Sequence, residues 1–271
     1  MPLHPANTAP VHDAEGKNGV QSLEIGMGIL RALSGGHRAM MLKDIAAAAG
    51  MPASKVHRYL VSLVRSGLVE QDALSSRYDL GPFALTLGLV AVDRLDRVKL
   101  GLAAIDALRD EINQTTALAV WSEQGPVIIR SVRPNRPITV NVVTGTALHL
   151  LTSASGRVFA AYLPLAQTQQ LIARELAGRQ LPAELTTEQS VQAMLAQVRQ
   201  DCVSTVTDYH LVPGVAAAAA PVFNLRGDIT MTLLAIGVKG MIDLAACGPV
   251  VQALKHAAQA LSARLGHASP G

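Results

Sequence analysis

LKDIAAAAGMPASKVHRYLVSLVRS, residues 42–66, is the stretch that decides the predicted fold. Its first part, 42–49, spaces apolar residues as one face of a helix. Gly50-Met51-Pro52 ends that helix, because glycine supplies a left-handed cap and proline cannot continue a helix. A second helix begins near Ala53 or Ser54, is rich in hydrogen-bond donors and contains no acid. Two such helices joined by a tight turn are typical of a helix-turn-helix motif, so the sequence predicts that this segment binds DNA.

The second of these helices is the predicted recognition helix. In this motif its start enters the major groove, where some donors read base edges and others hold phosphates. Residues three apart share one helix face, which pairs Lys55 with Arg58. For Arg58 the alternative is an ion pair with Asp44 or Glu24. The predicted DNA contacts on this helix are Ser54, Lys55, His57, Arg58 and Ser62.

The segments on either side complete a winged helix-turn-helix. A helix that begins near Gln21 precedes the motif, and the amides at its start suit a phosphate. After the recognition helix, Leu68–Gln71 and Arg77–Leu80 are predicted to form two short strands around a polar turn, the wing. Arg77 suits contact with a phosphate or the minor groove, and the alternative is an ordinary solvated charge. We expect Gln21 and Arg77 to contact DNA.

A helix over about 83–98 follows the wing. It starts apolar and ends charged, and its apolar stripe consists of Phe83, Leu87 and Val90, at the spacing of one helix face. Such a stripe packs against another element. The pattern alone does not distinguish a partner subunit from the helix's own domain.

From Leu100 onwards the composition shifts to alternating helices and strands. About six strands with segregated helices predict an α+β domain with a mostly antiparallel sheet. The predicted strands are Ala117–Trp121, Val127–Val132, Ile138–Val143, Val203–Thr207, Val215–Phe223 and Thr230–Val238.

Composition narrows the class of protein. The 271 residues carry a net charge of +3, which favours a localised basic face over a protein that coats nucleic acid through charge alone. Cys202 and Cys247 are far apart and lack metal-binding spacing, so we expect reduced thiols in a cytoplasmic protein. No signal peptide or membrane span is expected, and neither is a metal site or a cofactor.

The order of these segments resembles the IclR family of bacterial transcriptional regulators from about residue 20 to 265. The resemblance rests on VQSLEIGMGILRALS (20–34), the helix-turn-helix, RYDLGPFALTLG (77–88), LTSASGRVFAAYLP (151–164) and GVAAAAAPVFNLRGDITMTLLAIGVKG (214–240). It implies a regulator that binds a palindromic operator in double-stranded DNA as a homodimer or homotetramer, senses a small metabolite and controls a nearby catabolic operon. The implied regions are a winged helix-turn-helix domain (20–82), a linker helix (83–99) and a GAF-like effector-binding domain (100–267). Residues 1–19 are rich in Pro, Ala, Asn and Gly and lack periodicity, so we expect a mobile tail there.

The resemblance also implies an effector pocket at the start of the helix after Thr152 and on facing strands. Amides at a helix start and a nearby lysine suit a carboxylate, and the neighbouring alanines and valines leave apolar volume. We therefore expect a small organic acid as effector, with aromatic acids among the candidates. The alternative roles are a helix cap for Ser155, a strand end for Asp208 and a solvated charge for Lys239. The implied pocket residues are Val143, Ala154, Ser155, Thr207, Asp208, Ala217, Gly237 and Lys239.

Two other classes of protein compete with a regulator. An enzyme has little support, because Gly26-Met27-Gly28 starts like a dinucleotide fingerprint but Arg31 replaces its third glycine and no strand precedes it. His149, Asp208 and His210 form an imaginable acid–base or metal group, but they are scattered along the sequence. A metabolite sensor that acts through a protein partner is the second rival, and the donor-rich recognition helix argues against it.

Overall fold

The computed structural model describes most of the chain, in two compact units whose boundary falls between Leu95 and Asp96. Each unit is described by itself. Residues 1–18 of the predicted mobile tail, and Asp208 and His210 of the predicted sites, lie outside the described residues. The described ranges are 19–36, 38–137, 139–178, 181–182, 185–207 and 213–268.

The first unit contains the predicted helix-turn-helix and wing. Gly50 lies in the turn between the two helices of the motif with a φ of 63°, the left-handed conformation that the sequence predicts for it. The three short helices enclose a core whose centre is Ile29, Ile45, Val56 and Leu60, all fully buried. The elements are α1 (Gln21–Gly35), α2 (Leu42–Ala48), α3 (Ala53–Arg65), β1 (Val69–Gln71), β2 (Tyr78–Leu80) and α4 (Pro82–Asp93).

The predicted linker helix is not continuous. We expected one helix through residues 83–98, but α4 ends at Asp93 and a new helix, α5 (Arg97–Ile112), begins after Asp96. The Asp96 side chain accepts a hydrogen bond from the Lys99 amide at 2.9 Å, which caps the new helix. An aspartate that accepts a hydrogen bond from such an amide marks the start of a new helix. The sequence prediction treated Asp96 only as one of the charged residues at the end of a single helix.

The second unit is a five-stranded antiparallel sheet between two layers of helices, which confirms the predicted α+β class. Its strand order is β4-β3-β7-β6-β5. Helices α5 and α9 pack on one face, and α6 packs on the other together with α8. The elements after α5 are β3 (Thr115–Ser122), β4 (Gly125–Val132), α6 (Ala154–Tyr162), α7 (Leu165–Ala177), α8 (Glu188–Asp201), β5 (Ser204–Thr207), β6 (Val215–Phe223), β7 (Ile229–Val238) and α9 (Pro249–Arg264).

The strand predicted at Ile138–Val143 is wrong for its described residues, 139–143, which form no strand. They belong to an irregular segment, residues 139–148, that we call the strap. Side chains hold its backbone: the Thr115 hydroxyl donates to the Val140 carbonyl at 3.1 Å, and the Ser131 hydroxyl donates to the Val142 carbonyl at 2.7 Å. In a strand, these carbonyls would accept hydrogen bonds from the backbone of a neighbouring strand, but here they accept them from side-chain hydroxyls. An alternating sequence pattern does not reveal this difference.

Candidate nucleic-acid interface and ligand cavities

The predicted DNA contacts on α3 share one exposed surface. Val56 and Leu60 are fully buried on the opposite side, so the amphipathic pattern of α3 turns its polar residues outwards. Among the described residues Arg58 pairs with neither Glu24 nor Asp44, and neither Lys55 nor His57 has an ion-pair or hydrogen-bond partner. The exposed residues are Ser54, Lys55, His57, Arg58 and Ser62.

The electrostatics of α3 favour an anion at its start. Its cap is Pro52, which has no side chain to accept a hydrogen bond, so no side chain covers the first amides of the helix. The first turn contains Lys55 and no acid. A cation beside uncapped amides is a suitable arrangement for phosphate or for base acceptors.

The wing is less suited to DNA than the sequence indicated. The Arg77 guanidinium donates to the Ala39 carbonyl at 2.9 Å, which ties the wing to the segment before α2. Glu70, Asp72 and Asp79 are all exposed on the same hairpin. The pKa of Asp72 is lowered by hydrogen bonds from Ser75, side chain first and then backbone, so this carboxylate stays charged and organises the tip. Three acids beside one tethered cation make phosphate contact by the wing unfavourable.

Other residues of the first unit could contact DNA. Gln21 is exposed at the first position of α1, where the sequence placed a phosphate contact. Further basic residues of this unit are exposed, among them Arg38 and Lys43, which were not predicted to contact DNA. The first helix of this motif crosses the DNA backbone, so a cation on α2 such as Lys43 was detectable from its position alone.

Helix α4 exposes large apolar side chains around most of its surface. Leu87 is 55% exposed and Phe83 is 48% exposed, and both lie on the predicted stripe with Val90. Leu85 and Leu89, on another face of the helix, are 67% and 61% exposed. An apolar helix with this exposure is normally covered by another element, and the described residues of its own unit do not cover it.

A cavity of about 210 Å³ lies in the second unit at the start of α6. Its walls come from the strap, from the first residues of α6 and from the facing strands β4, β6 and β7. Three of the predicted pocket residues, Val143, Ala154 and Ala217, line it. The other lining residues are Ile128, Val140, Asn141, Val142, Thr146, Leu148, Ser153, Val215, Leu234 and Ile236. The cavity is therefore largely apolar, with a few polar groups at one side.

The polar side of this cavity is the capped start of α6. The Ser153 hydroxyl accepts a hydrogen bond from the Gly156 amide at 2.8 Å and donates to the His149 carbonyl at 2.6 Å. Ser153 is therefore the cap that orients this turn. Asn141 and Thr146 of the strap are the remaining polar residues at the cavity wall.

The other predicted pocket residues do not meet there. The Ser155 side chain is fully buried and shares a 2.6 Å hydrogen bond with the Thr232 hydroxyl, so it has a structural role. Gly237 lines a separate cavity of only about 10 Å³, and Thr207 lines a separate wide cleft. Lys239 lines none of these three spaces. The predicted pocket residues that line a cavity are thus distributed among three separate spaces. The sequence could not show this, because it does not reveal which way each side chain points.

The described residues lend no support to the scattered acid–base or metal group. His149 lies 3.7 Å from Glu175 (Nδ1 to Oε1), and its proposed companions Asp208 and His210 are not described. Within the described ranges, no three histidine, cysteine, aspartate or glutamate side chains are placed to hold a metal ion. The helices that the structure describes include none with the length and apolar character needed to cross a membrane.

Comparison with known proteins gives consistent matches over nearly the whole chain. The model of the IclR helix-turn-helix domain matches residues 22–73, and the model of the bacterial transcriptional regulator IclR C-terminal domain matches residues 90–263. The glycerol operon regulatory protein of Streptomyces griseus is 32% identical, over 91% of this chain and 97% of that protein. Its namesake in Streptomyces coelicolor is 31% identical, over 83% and 86%. The crystal structure of Pseudomonas aeruginosa HmgR superimposes with a TM-score of 0.83 at 37% identity, over 92% of this chain and 99% of HmgR.

Proposed function

The chain belongs to the IclR family of bacterial transcriptional regulators, and from that premise we propose that it controls a catabolic operon in response to a small organic acid. The observation that carries the proposal is the exposed face of α3, which is rich in donors and free of acids, and whose cations have no ion-pair partner in the described part of the chain. The names of the two glycerol operon regulators support a catabolic operon as the target of this chain. A regulator of this kind acts in the cytoplasm, where the chromosome is.

We assign direct reading of bases to the start of α3. Lys55 and Arg58 are cations on this face and are suited to guanine, which offers two acceptors in the major groove. The remaining contacts position the protein on the backbone and carry little sequence information. These are Gln21, Ser54, His57 and Ser62; Arg77 is left out because its guanidinium is held by the Ala39 carbonyl and three acids lie beside it.

A palindromic operator requires two copies of α3, and the apolar surface of α4 supports a homodimer. Helix α4 has twelve residues and exposes five large apolar side chains. Exposure of this apolar surface to water is unfavourable, and a second copy of the chain would cover it. Two dimers that associate through the effector-binding units would give the homotetramer.

We place the effector in the cavity at the start of α6. Its apolar walls suit a ring or an alkyl group, and the first amides of α6, of which the Ser153 cap takes only that of Gly156, suit a carboxylate. Because Lys239 does not line this cavity, the helix start must provide the recognition of the acid. We propose that ligand binding changes the separation of the two recognition helices in the dimer, and so gains or loses contact with the half-sites.

The experiment that tests DNA binding measures the affinity of the protein for the intergenic DNA upstream of its own gene, at several salt concentrations. A regulator should bind one fragment with a Kd of about 10⁻⁸ M or tighter and bind scrambled DNA at least about a thousandfold more weakly. Both affinities should fall as salt rises, because bound phosphates release counterions. Equal affinity for the scrambled fragment would refute sequence-specific regulation.

Filling the effector cavity should remove the response to the effector. Ala217→Leu adds a branched side chain to a cavity of about 210 Å³, so an organic acid found in a thermal-shift screen should no longer raise Tm. The matched control is Ala257→Leu on α9, which does not line the cavity. DNA affinity without ligand should stay within about threefold of the native value. Retention of the ligand shift by Ala217→Leu would place the effector elsewhere.

A further inference from the structure

A second space lies beside the effector cavity, and no part of the proposed function uses it. This space, which we call the α7 cleft, has a volume of about 320 Å³, within the usual range for small-molecule sites. It lies between α7, the turn that joins β3 and β4, and the segment that leads into α6. Its lining residues are Gln124, Ala147, Leu148, His149, Thr152, Leu171, Arg174, Glu175, Gly178 and Leu181.

The polar groups of the α7 cleft come from three separate segments of the chain. Arg174 and Glu175 are neighbours on α7, Gln124 comes from the β3–β4 turn, and Thr152 comes from the segment before α6. Thr152 is only 6% exposed, and no hydrogen bond of its hydroxyl is present among the described residues. The hydroxyl is not sealed inside the protein but lines the cleft, so a ligand there can bond to it.

The charges of the α7 cleft are opposite in sign. Arg174 is always protonated, and the Glu175 carboxylate accepts hydrogen bonds from the amides of Leu150 (2.6 Å) and Leu151 (2.8 Å). Each carboxylate oxygen retains a further acceptor position, and the His149 Nδ1 lies 3.7 Å from Oε1. A simple anion would face Glu175, and a simple cation would face Arg174. A molecule with one charge of each sign avoids both penalties.

We propose that the α7 cleft binds a small zwitterion, an α-amino acid or a molecule with the same pair of charges, with its carboxylate on Arg174 and its ammonium group on Glu175. Thr152 and Gln124 supply hydrogen bonds to the remaining polar atoms. The ligand differs in charge and location from the organic acid proposed for the effector cavity, so the regulator would sense two classes of metabolite.

The α7 cleft and the effector cavity share structural parts. Leu148 lines both spaces. Glu175 holds the amides of Leu150 and Leu151, and only Thr152 separates these residues from the Ser153 cap at the effector cavity. A ligand that binds the Glu175 carboxylate therefore alters its hydrogen bonds to the Leu150 and Leu151 amides, and so alters the turn that forms part of the neighbouring cavity. Coupling of this kind is reciprocal, so each ligand alters the affinity for the other.

Titration of the full chain with the common L-amino acids, one at a time and without DNA, tests this site by calorimetry and by the fluorescence of Trp121, the single tryptophan. We expect at least one to bind saturably. Arg174→Ala should weaken that binding by about tenfold or more, because it removes a charge-assisted contact. Thr152→Val should also weaken it. Arg226→Ala, an exposed arginine on the β6–β7 turn, is the matched control and should bind as the native protein does.

The chemistry and the place of binding are tested separately. The deaminated and the decarboxylated analogues of the best amino acid each lack one charge and should not bind detectably at the same concentration. Ala217→Leu, which fills the effector cavity, should leave saturable amino-acid binding in place, with its affinity changed only by the coupling between the two spaces. The proposal is overturned if no amino acid binds, if Arg174→Ala binds normally, if an analogue binds equally well, or if Ala217→Leu abolishes binding. Because DNA is absent, failure here leaves the proposed regulation untouched.

Discussion

Replacing both Lys55 and Arg58 with alanine is expected to weaken operator binding by about thirtyfold or more. Each good bidentate interaction with a base is worth about 1–3 kcal/mol, so removing two of them together costs about 2–6 kcal/mol, which corresponds to about thirtyfold or more. Both side chains are exposed on α3, and neither has an ion-pair partner among the residues that the structure describes, so their removal should not disturb the core of the first unit. The measurement is fluorescence anisotropy with the operator identified upstream of the gene.

Two comparisons make this result specific. Lys55→Ala/Arg58→Ala should bind scrambled DNA only moderately more weakly than the native protein, because base contacts contribute little there. Arg226→Ala and Lys255→Ala together remove the same charge from the second unit and should leave operator affinity within about threefold. Effector binding, followed by thermal shift, should be unchanged in both variants. If the native and double-alanine proteins bind the operator equally, α3 is not the reading element.

Leu87→Glu should lower the association state by a factor of two and reduce operator affinity by about a hundredfold or more. A glutamate in the middle of a self-complementary apolar surface leaves a charge without solvent in the dimer, which is strongly unfavourable. A separated subunit holds one half-site at a time and loses the gain in effective concentration that linkage provides, typically about 10²–10⁴. Light scattering coupled to size-exclusion chromatography measures the mass, and anisotropy measures the affinity.

The matched control for Leu87→Glu is Leu74→Glu. Leu74, at the tip of the wing, is 97% exposed and belongs to the same unit, but it lies outside the α4 surface. Its replacement introduces the same charge and should leave the mass unchanged. If Leu87→Glu keeps the native mass while its circular dichroism shows a folded chain, the exposed face of α4 is not the dimer contact.

The parts of this fold that were predictable are those fixed by sequence patterns within a few neighbouring residues. The bend at Gly50, the exposed donors of α3 and the strands β6 and β7 all follow from patterns within a few residues, and the structure has them where they were expected. The strap was not predictable in this way, because hydroxyls of Thr115 and Ser131 fix it from distant positions in the sequence. The break before α5 depended on one cap at Asp96.

The candidate effector site was predictable only in outline. Ala154 and Ala217 do line the cavity, because a helix start and an alanine-rich strand must face each other across a small space. Ser155 carries the same kind of side chain as its neighbour Ser153, yet one caps α6 and the other bonds to Thr232, 77 residues away. The sequence contains no signal that separates these two roles, since the direction of each side chain depends on the packing of α6 against the sheet.

The tight start of α6 also limits how this gene can vary. A methyl group at Gly156 would collide with the carbonyl of His149 and would lie 2.6 Å from the carbonyl oxygen of Leu150. Both obstacles are backbone atoms, which cannot rotate aside as a flexible side chain can. Any other amino acid at position 156 would clash with the backbone, so we expect glycine to be retained there. The residues that line the adjacent cavity can vary more freely. Descendants of this protein can acquire new ligand preferences around a helix start whose backbone geometry does not change.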